Sequence, residues 1–292
     1  MFSIIGITGR VGGGAASRLL EMGKQVRAVV RDEAKGKVWA SKGASVAVAD
    51  MIDGDGMGRA IAGSEAVFVM LPPLFDPSPG FPEAKGLIDS LSLALRKSEA
   101  KRIVALSTIG AHVARPNLLN GLHMMEESFR QLSMPVTFLR PGWFMENHAG
   151  DVSSAINEGI IHSYLQPIEH AIPMIATKDI GALASTLLLE SSSGKRVVEL
   201  AAKTRVSSAD IAATLTGILG KPVSAEPVPR ARWEEIFLAQ GMKNPTPRIQ
   251  MIEGFNQGWI EFECGFESSI KGQTSLKTVL EEMVRDARKQ AA

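Results

Sequence analysis

The chain has 292 residues, 45% hydrophobic and 22% charged, with 28 Gly and 15 Pro. That composition is too apolar for a disordered chain and ordinary for a globular one. Lys+Arg 32 against Asp+Glu 31 leaves a formal net charge of +1, which excludes the overall basic excess of a nucleic-acid binder. A single cysteine, Cys264, excludes an internal disulfide scaffold; of a reactive thiol and a buried, inert one, the second is expected.

Met1 leads into Phe2-Ser3-Ile4-Ile5 with no basic leader and no small-residue cleavage site. Arg10 and Arg18 interrupt the early apolar residues long before a membrane span forms. The expectation is a cytoplasmic protein with neither membrane nor nucleic acid as partner; the oligomeric state is not legible.

In chain order, short apolar runs at 2–7, 25–30, 45–49, 66–71, 102–106 and 136–139 read as strands. Amphipathic stretches near 12–23, 34–42, 55–62, 83–98 and 118–132 separate them. The strands are nearly continuous apolar runs, as when helices cover both faces of a sheet. Strand–helix alternation implies right-handed crossovers and therefore a doubly wound parallel sheet of α/β class. The second half is less regular. Strands are expected at 172–176, 196–201 and 223–227, and helices near 178–190, 208–219, 230–240 and 275–289. Ser207 with Asp210 reads as a capping box, Gly220 before Pro222 as a helix stop, and Thr274 as the cap of the last helix. The division expected is 1–150 as the sheet domain and 151–292 as a smaller, mainly helical lobe that adds a strand or two to the sheet.

The strongest chemical signal is Gly6-Ile7-Thr8-Gly9-Arg10-Val11-Gly12, which follows the first strand and opens a helix. Glycines there permit the sharp turn, the approach of backbone to a pyrophosphate, and close helix–strand packing. The helix N-terminus offers N–H groups and a positive dipole end to the phosphates. A tight turn alone would show the same spacing, but here the spacing sits in the strand–loop–helix context that dinucleotide binding requires. Arg31 stands about where an NAD site places its acid, roughly 20 residues past the loop. With Arg10 and Lys35 it offers positive charge to a 2′-phosphate, so NADP(H) is expected over NAD(H). Asp32 next door keeps NAD(H) open.

Further runs share one likeness: Thr8-Gly9-Arg10-Val11-Gly12, Arg31-Asp32, Asp50, Leu106-Ser107-Thr108-Ile109-Gly110, and above all Thr137 through Arg140-Pro141-Gly142-Trp143-Phe144-Met145-Glu146-Asn147. Together with Ile172 through Gly181, Leu219 through Val223, and Trp233, they resemble the NmrA-like branch of the atypical short-chain dehydrogenases/reductases. That branch includes NAD(P)H-dependent quinone reductases and non-catalytic nucleotide sensors. The resemblance covers nearly the whole chain and implies a Rossmann-type nucleotide domain. It puts Asp50 near the adenine and Leu71, Pro72 and Pro73 along the adenosine ribose. His123 stands where the branch carries a Lys or His that reaches the nicotinamide ribose. Val11, Ser107, Thr108, Pro141, Gly142 and Phe144 complete the expected cofactor set.

The better-known reductases of this superfamily use Tyr-x-x-x-Lys on the helix after the fifth strand. This chain has one tyrosine, Tyr164, and no lysine between Lys101 and Lys178. His123 and Glu127 share a helix face instead. The imidazole is open to three roles: ribose contact, proton donation, or a surface pair with Glu127. The remaining histidines lack metal-ligand spacing, and no metal is expected. Trp143, Phe144 and Met145 follow the sixth strand, where ligands bind. With Phe75 and Phe81 they are expected to form an apolar slot for a flat acceptor, or, for Trp143, to pack as core. Two functions fit: an NADP(H)-dependent reductase of a quinone-like or conjugated small-molecule acceptor, and an NADP(H)-binding sensor without turnover.

Overall fold

The computed structural model describes residues 1–291. Along the chain run β1 (Phe2–Ile5), α1 (Arg10–Glu21), β2 (Val26–Val30), α2 (Glu33–Ala40), β3 (Ser45–Val48), α3 (Gly54–Ala60), β4 (Ala66–Met70), α4 (Pro82–Lys97), β5 (Ile103–Leu106), α5 (Asn120–Arg130) and β6 (Val136–Pro141). There follow β7 (Trp143–Phe144), α6 (Ala149–Glu158), β8 (Ile160–Ser163), β9 (Met174–Ile175), α7 (Thr177–Leu189) and β10 (Lys195–Ala201). The chain ends with α8 (Ser208–Leu219), β11 (Ser224–Pro227), α9 (Trp233–Ala239), α10 (Thr246–Asn256), β12 (Ile270–Lys271) and α11 (Leu276–Ala291).

The central sheet has eight strands in the order β12-β10-β6-β5-β4-β1-β2-β3. Its pairings are parallel, with Ile4 opposite both Ala28 and Phe68, and Val104 opposite Thr137. This is the doubly wound, Rossmann-type order, in which the chain starts in the middle and winds out both ways. The reversal falls between β1 and β4, and there the crevice for a dinucleotide opens at the carboxyl ends of the strands.

The residues divide into two compact units. The first holds Met1–Ala114, Leu119–Arg140 and Ile180–Val198; the second holds Arg115–Leu118, Pro141–Asp179 and Glu199–Ala292. In the first, side chains of β4 alternate. Val67 and Val69 join Ile103, Ala105, Val136 and Phe138 in one core cluster, packed on Ile88, Leu91 and Leu95 of α4 and on Met125 and Phe129 of α5. Each strand thus spends its apolar residues on two covered faces, which is why the runs read as continuous.

The second unit contains two small parallel pairs, β11 with β8 and β7 with β9. Ser207 caps α8 through the Asp210 N–H while Asp210 caps in return, and Gly220 ends the helix at φ 66°. Thr274 differs from expectation: its N–H and hydroxyl bind Asp179, and Ser275 Oγ takes the Thr278 N–H at the start of α11. Cys264 is exposed rather than buried, because the turn that carries it is fixed from its backbone side, by Glu199 accepting the N–H groups of Glu263 and Cys264. No helix of the described residues is long and apolar enough to cross a membrane.

Candidate functional site

The glycine loop closes the carboxyl end of β1. Gly6 has φ +79°, a left-handed turn that a side chain would strain, and the Gly9 N–H returns to the Gly6 carbonyl at 3.0 Å. At Gly12 a Cβ would lie 2.5 Å from that same carbonyl oxygen, so the first turn of α1 packs on the loop only because Gly12 has no side chain. Gly9 is the N-cap; no side chain caps the helix, and its first turn contains no acid. Uncapped N–H groups at the positive end of a 12-residue helix form an anion cradle. Thr8, Gly9 and Arg10 are exposed on it, whereas Val11 is buried beneath.

Next to this cradle, beyond β2, Arg31 and Lys35 are exposed. Asp32 Oδ1 is turned to the α2 N-terminus, where it accepts the Ala34 N–H at 2.9 Å and acts as the helix cap. The described residues give Arg10, Arg31 and Lys35 no ion pair, whereas Lys97 and Arg102 each have one and Arg130 has two. Asp50, half-buried after β3, accepts the Ile52 N–H at 3.2 Å. After β4, Leu71 is buried, Pro72 half-buried and Pro73 exposed. Phe75 is exposed, and Phe81, in a left-handed conformation at φ 57°, packs partly against the core as the cap of α4. The uncapped cradle, its glycines and the three unpaired cations fit a dinucleotide carrying a further phosphate.

The carboxyl end of β5 is organised by a residue that sequence reasoning passed over. Glu126, on α5, is 1% exposed and accepts from four donors. Ser107 Oγ reaches its Oε1 at 2.5 Å, Arg140 Nε the same oxygen at 2.8 Å, and Arg140 Nη2 its Oε2 at 2.7 Å. Arg130 Nη2 completes the set at 3.2 Å. Arg140 is as buried as Glu126, and the two form a bidentate pair joining α5 to β6. In sequence Glu126 looks like one more helical acid; only the fold brings Ser107 and Arg140 to it.

His123 lies one turn before Glu127 but does not pair with it. Its Nδ1 sits 2.7 Å from the Ala111 carbonyl, while Glu127 faces Arg130 at 3.5 Å. A carbonyl only accepts, so Nδ1 carries the proton, and in the neutral form of the ring Nε2 is then an acceptor. Thr108 is half-buried beside Ser107.

The remaining expected residues belong to the second unit. Pro141 and Gly142 are buried, and a Cβ on Gly142 would meet the Pro173 carbonyl at 2.6 Å, so glycine is what lets β7 lie against β9. Trp143 and Phe144 are half-buried; Met145 is 1% exposed and sits in the core. Trp143 meets Phe255 edge-on at 5.2 Å, and its buried Nε1 has no hydrogen-bond partner among the described residues. Tyr164 meets Trp233 edge-on and lies tilted against Phe237, and burial pushes its phenol pKa upward. Among the described residues no three His, Cys, Asp or Glu side chains gather as a metal site.

From residue 2 to residue 269 the sequence matches the NmrA-like family. The chain belongs to that family. Among NmrA-like relatives, the NAD(P)H azoreductase of Xenophilus azovorans is 24% identical over 243 residues, 83% of this chain and 82% of its own. Among solved structures, the NADPH-dependent quinone oxidoreductase of Escherichia coli complexed with NADPH superposes with a TM-score of 0.82 at 21% identity, covering 97% of this chain and 99% of that one. The triphenylmethane reductase of Citrobacter sp. gives 0.81 at 20% identity, with 97% and 99% covered.

Proposed function

We propose that this NmrA-like protein is an NADP(H)-dependent reductase that passes a hydride to a flat, conjugated small-molecule acceptor of the quinone type. The observation that carries the reading is the uncapped glycine cradle beside three unpaired cations, with the neighbouring Asp32 spent on capping α2. An acid free to grip a ribose 2′-hydroxyl would favour NAD(H); exposed guanidinium and ammonium groups favour a 2′-phosphate. The azoreductase and quinone oxidoreductase relatives support the same class of reaction.

In this reading the free N–H groups of the loop and of the first turn of α1 hold the pyrophosphate, with Gly6, Thr8, Gly9 and Gly12 forming the turn that presents them, and Arg31, Lys35 and Arg10 bind the 2′-phosphate. Asp50 lies at the adenine and Leu71, Pro72 and Pro73 at its ribose, while His123 Nε2 accepts from a hydroxyl of the nicotinamide ribose. NADPH bound there supplies the hydride. In the first unit Ser107 and Thr108 border the nicotinamide and Phe75 and Phe81 offer apolar surface for the acceptor; in the second, Trp143 and Phe144 are half-buried apolar side chains, whereas Met145 lies in the core and offers no surface. No Tyr-x-x-x-Lys dyad takes part, since the single tyrosine, Tyr164, packs against Trp233 and Phe237 and has Ile168 four residues on. Solvent supplies the proton that completes reduction, which suffices for an acceptor already electrophilic. The reading makes the protein cytoplasmic, in keeping with an exposed, unpaired cysteine.

The test is NADPH oxidation screened against quinones, azo dyes and α,β-unsaturated carbonyls, with NADPH alone as the blank. Acceptor-dependent oxidation is expected, fastest with quinones. Tight NADPH binding with no oxidation above the blank would make the protein a nucleotide sensor instead.

A further inference from the structure

A hydroxyl has one proton and two lone pairs, and what it offers a ligand depends on where the proton has gone. At Ser107 the proton goes inward, to Glu126 Oε1 at 2.5 Å. It cannot turn outward cheaply. The four lone-pair sites of Glu126 are filled by Ser107, by Nε and Nη2 of Arg140, and by Nη2 of Arg130. Ser107, Glu126 and Arg140 are all 3% exposed or less, so water does not compete for these bonds. Rotating the hydroxyl would leave a buried carboxylate oxygen short of a donor.

We propose that Glu126 is a positioning residue that makes Ser107 an obligate hydrogen-bond acceptor for the nicotinamide half of the cofactor. The inference rests on the NADP(H) reading above and adds to it the polarity of the site. The sheet order places Ser107 on the half that fits it. The phosphate cradle and Arg31 occupy the ends of β1 and β2, so the nicotinamide half falls across the switch point, over β4 and β5. In its neutral form His123 has the same polarity, its Nδ1 proton held by the Ala111 carbonyl. Two acceptors, each with its proton fixed inward, select a partner rich in donors. On the nicotinamide half those donors are the carboxamide N–H groups and the ribose hydroxyls. Glutamate suits the task because it only accepts; glutamine at the same place would present N–H groups to Ser107 or to Arg140, and the hydroxyl would lose its fixed sense.

The experiment is a double-mutant cycle in the full chain with Ser107→Ala, Glu126→Gln and both, read as NADPH affinity by fluorescence titration and as KM and kcat with a quinone. Each single variant should weaken NADPH roughly 3–10-fold, the worth of one hydrogen bond to an uncharged group, and raise KM for NADPH. The double variant should be no worse than the poorer single one, because both remove the same bond. Ser107→Thr, which restores a hydroxyl, should recover most of the affinity. If Glu126→Gln does not fold, the Ser107→Ala and Ser107→Thr pair carries the test alone. Repeating Ser107→Ala with the reduced 3-acetylpyridine analogue, which lacks the carboxamide N–H groups, separates the donors. The penalty disappears if the carboxamide donates and persists if a ribose hydroxyl does. Additive losses, or a Ser107→Ala protein that binds NADPH as the parent does, would overturn the proposal. A parent that binds no NADPH would instead overturn the cofactor reading on which it rests, and a parent that binds NADPH without oxidising it leaves the binding arms of the cycle decisive.

Discussion

Two strand ends of the same sheet are built on opposite plans. At the end of β1 the chain removes side chains: Gly6 turns, Gly12 clears the carbonyl it packs on, and backbone N–H groups face outward. At the end of β5 it adds them, closing Ser107, Arg140 and the partly exposed Arg130 around buried Glu126, whose carboxylate accepts from all three. The first plan suits an anion, which needs donors and close approach and little else. The second suits a neutral group whose orientation matters, because a saturated network cannot adjust to its ligand and the ligand must adjust to it.

Steric removal should be the less forgiving of the two. Gly12→Val is expected to abolish NADPH binding, and Gly12→Ala to weaken it roughly 100-fold or more, since even one carbon meets the Gly6 carbonyl at 2.5 Å. Gly9→Ala should cost less, its nearest contact being the same oxygen at 3.3 Å. Equal losses at the two positions, in folded variants, would mean that the cradle does not depend on close packing at Gly12.

The β5 end should fail in stability before it fails in binding. Glu126→Leu strips a carboxylate from buried Arg140, and breaking a buried pair in this way costs about 3–5 kcal/mol. A lower urea midpoint at unchanged m-value is the expected signature. A variant as stable as the parent would show that the cluster is not the clasp between α5 and β6.

How much of this contrast was legible in the sequence follows from its chemistry. A cradle made by absence is written locally, in glycines at fixed spacing behind an apolar run, and β1 to β6 were likewise readable as apolar runs because both faces of the sheet are covered. A cluster made of side chains from three elements has no local signature: Ser107, Glu126 and Arg140 meet only because β5 and β6 pair and α5 lies on them. In the second unit, α6 escaped notice because its buried residues reduce to Val152 and Ala155, too few for a helical stripe. On α10 the reason is reversed: Ile249, Met251, Ile252 and Phe255 are buried around the helix rather than along one face. β7, with two residues, is too short to show any period.

Charge at the cradle gives a smaller, more selective effect. Arg31→Ala should weaken NADPH by about 1.5–3 kcal/mol, roughly 10–150-fold, and leave NADH nearly unchanged, because only NADPH carries the 2′-phosphate. Titrating both cofactors against both proteins measures this directly; equal loss would point to a structural role for the guanidinium. Asp32→Ala should do least. Loss of the α2 cap should lower stability by about 0.5–2 kcal/mol, with the preference for NADPH kept. A swing of preference away from NADH in that variant would show that the carboxylate reaches the ribose as well as the helix.

The account turns on hydride leaving a bound nicotinamide. NADPH deuterated separately at each of the two C4 positions, oxidised by the protein with a naphthoquinone, tests that step. A primary kinetic isotope effect is predicted for one position and none for the other, because a cofactor fixed by the cradle at one end and by Ser107 and His123 at the other presents a single face. An equal effect from both positions, or oxidation no faster than the protein-free blank, would contradict it.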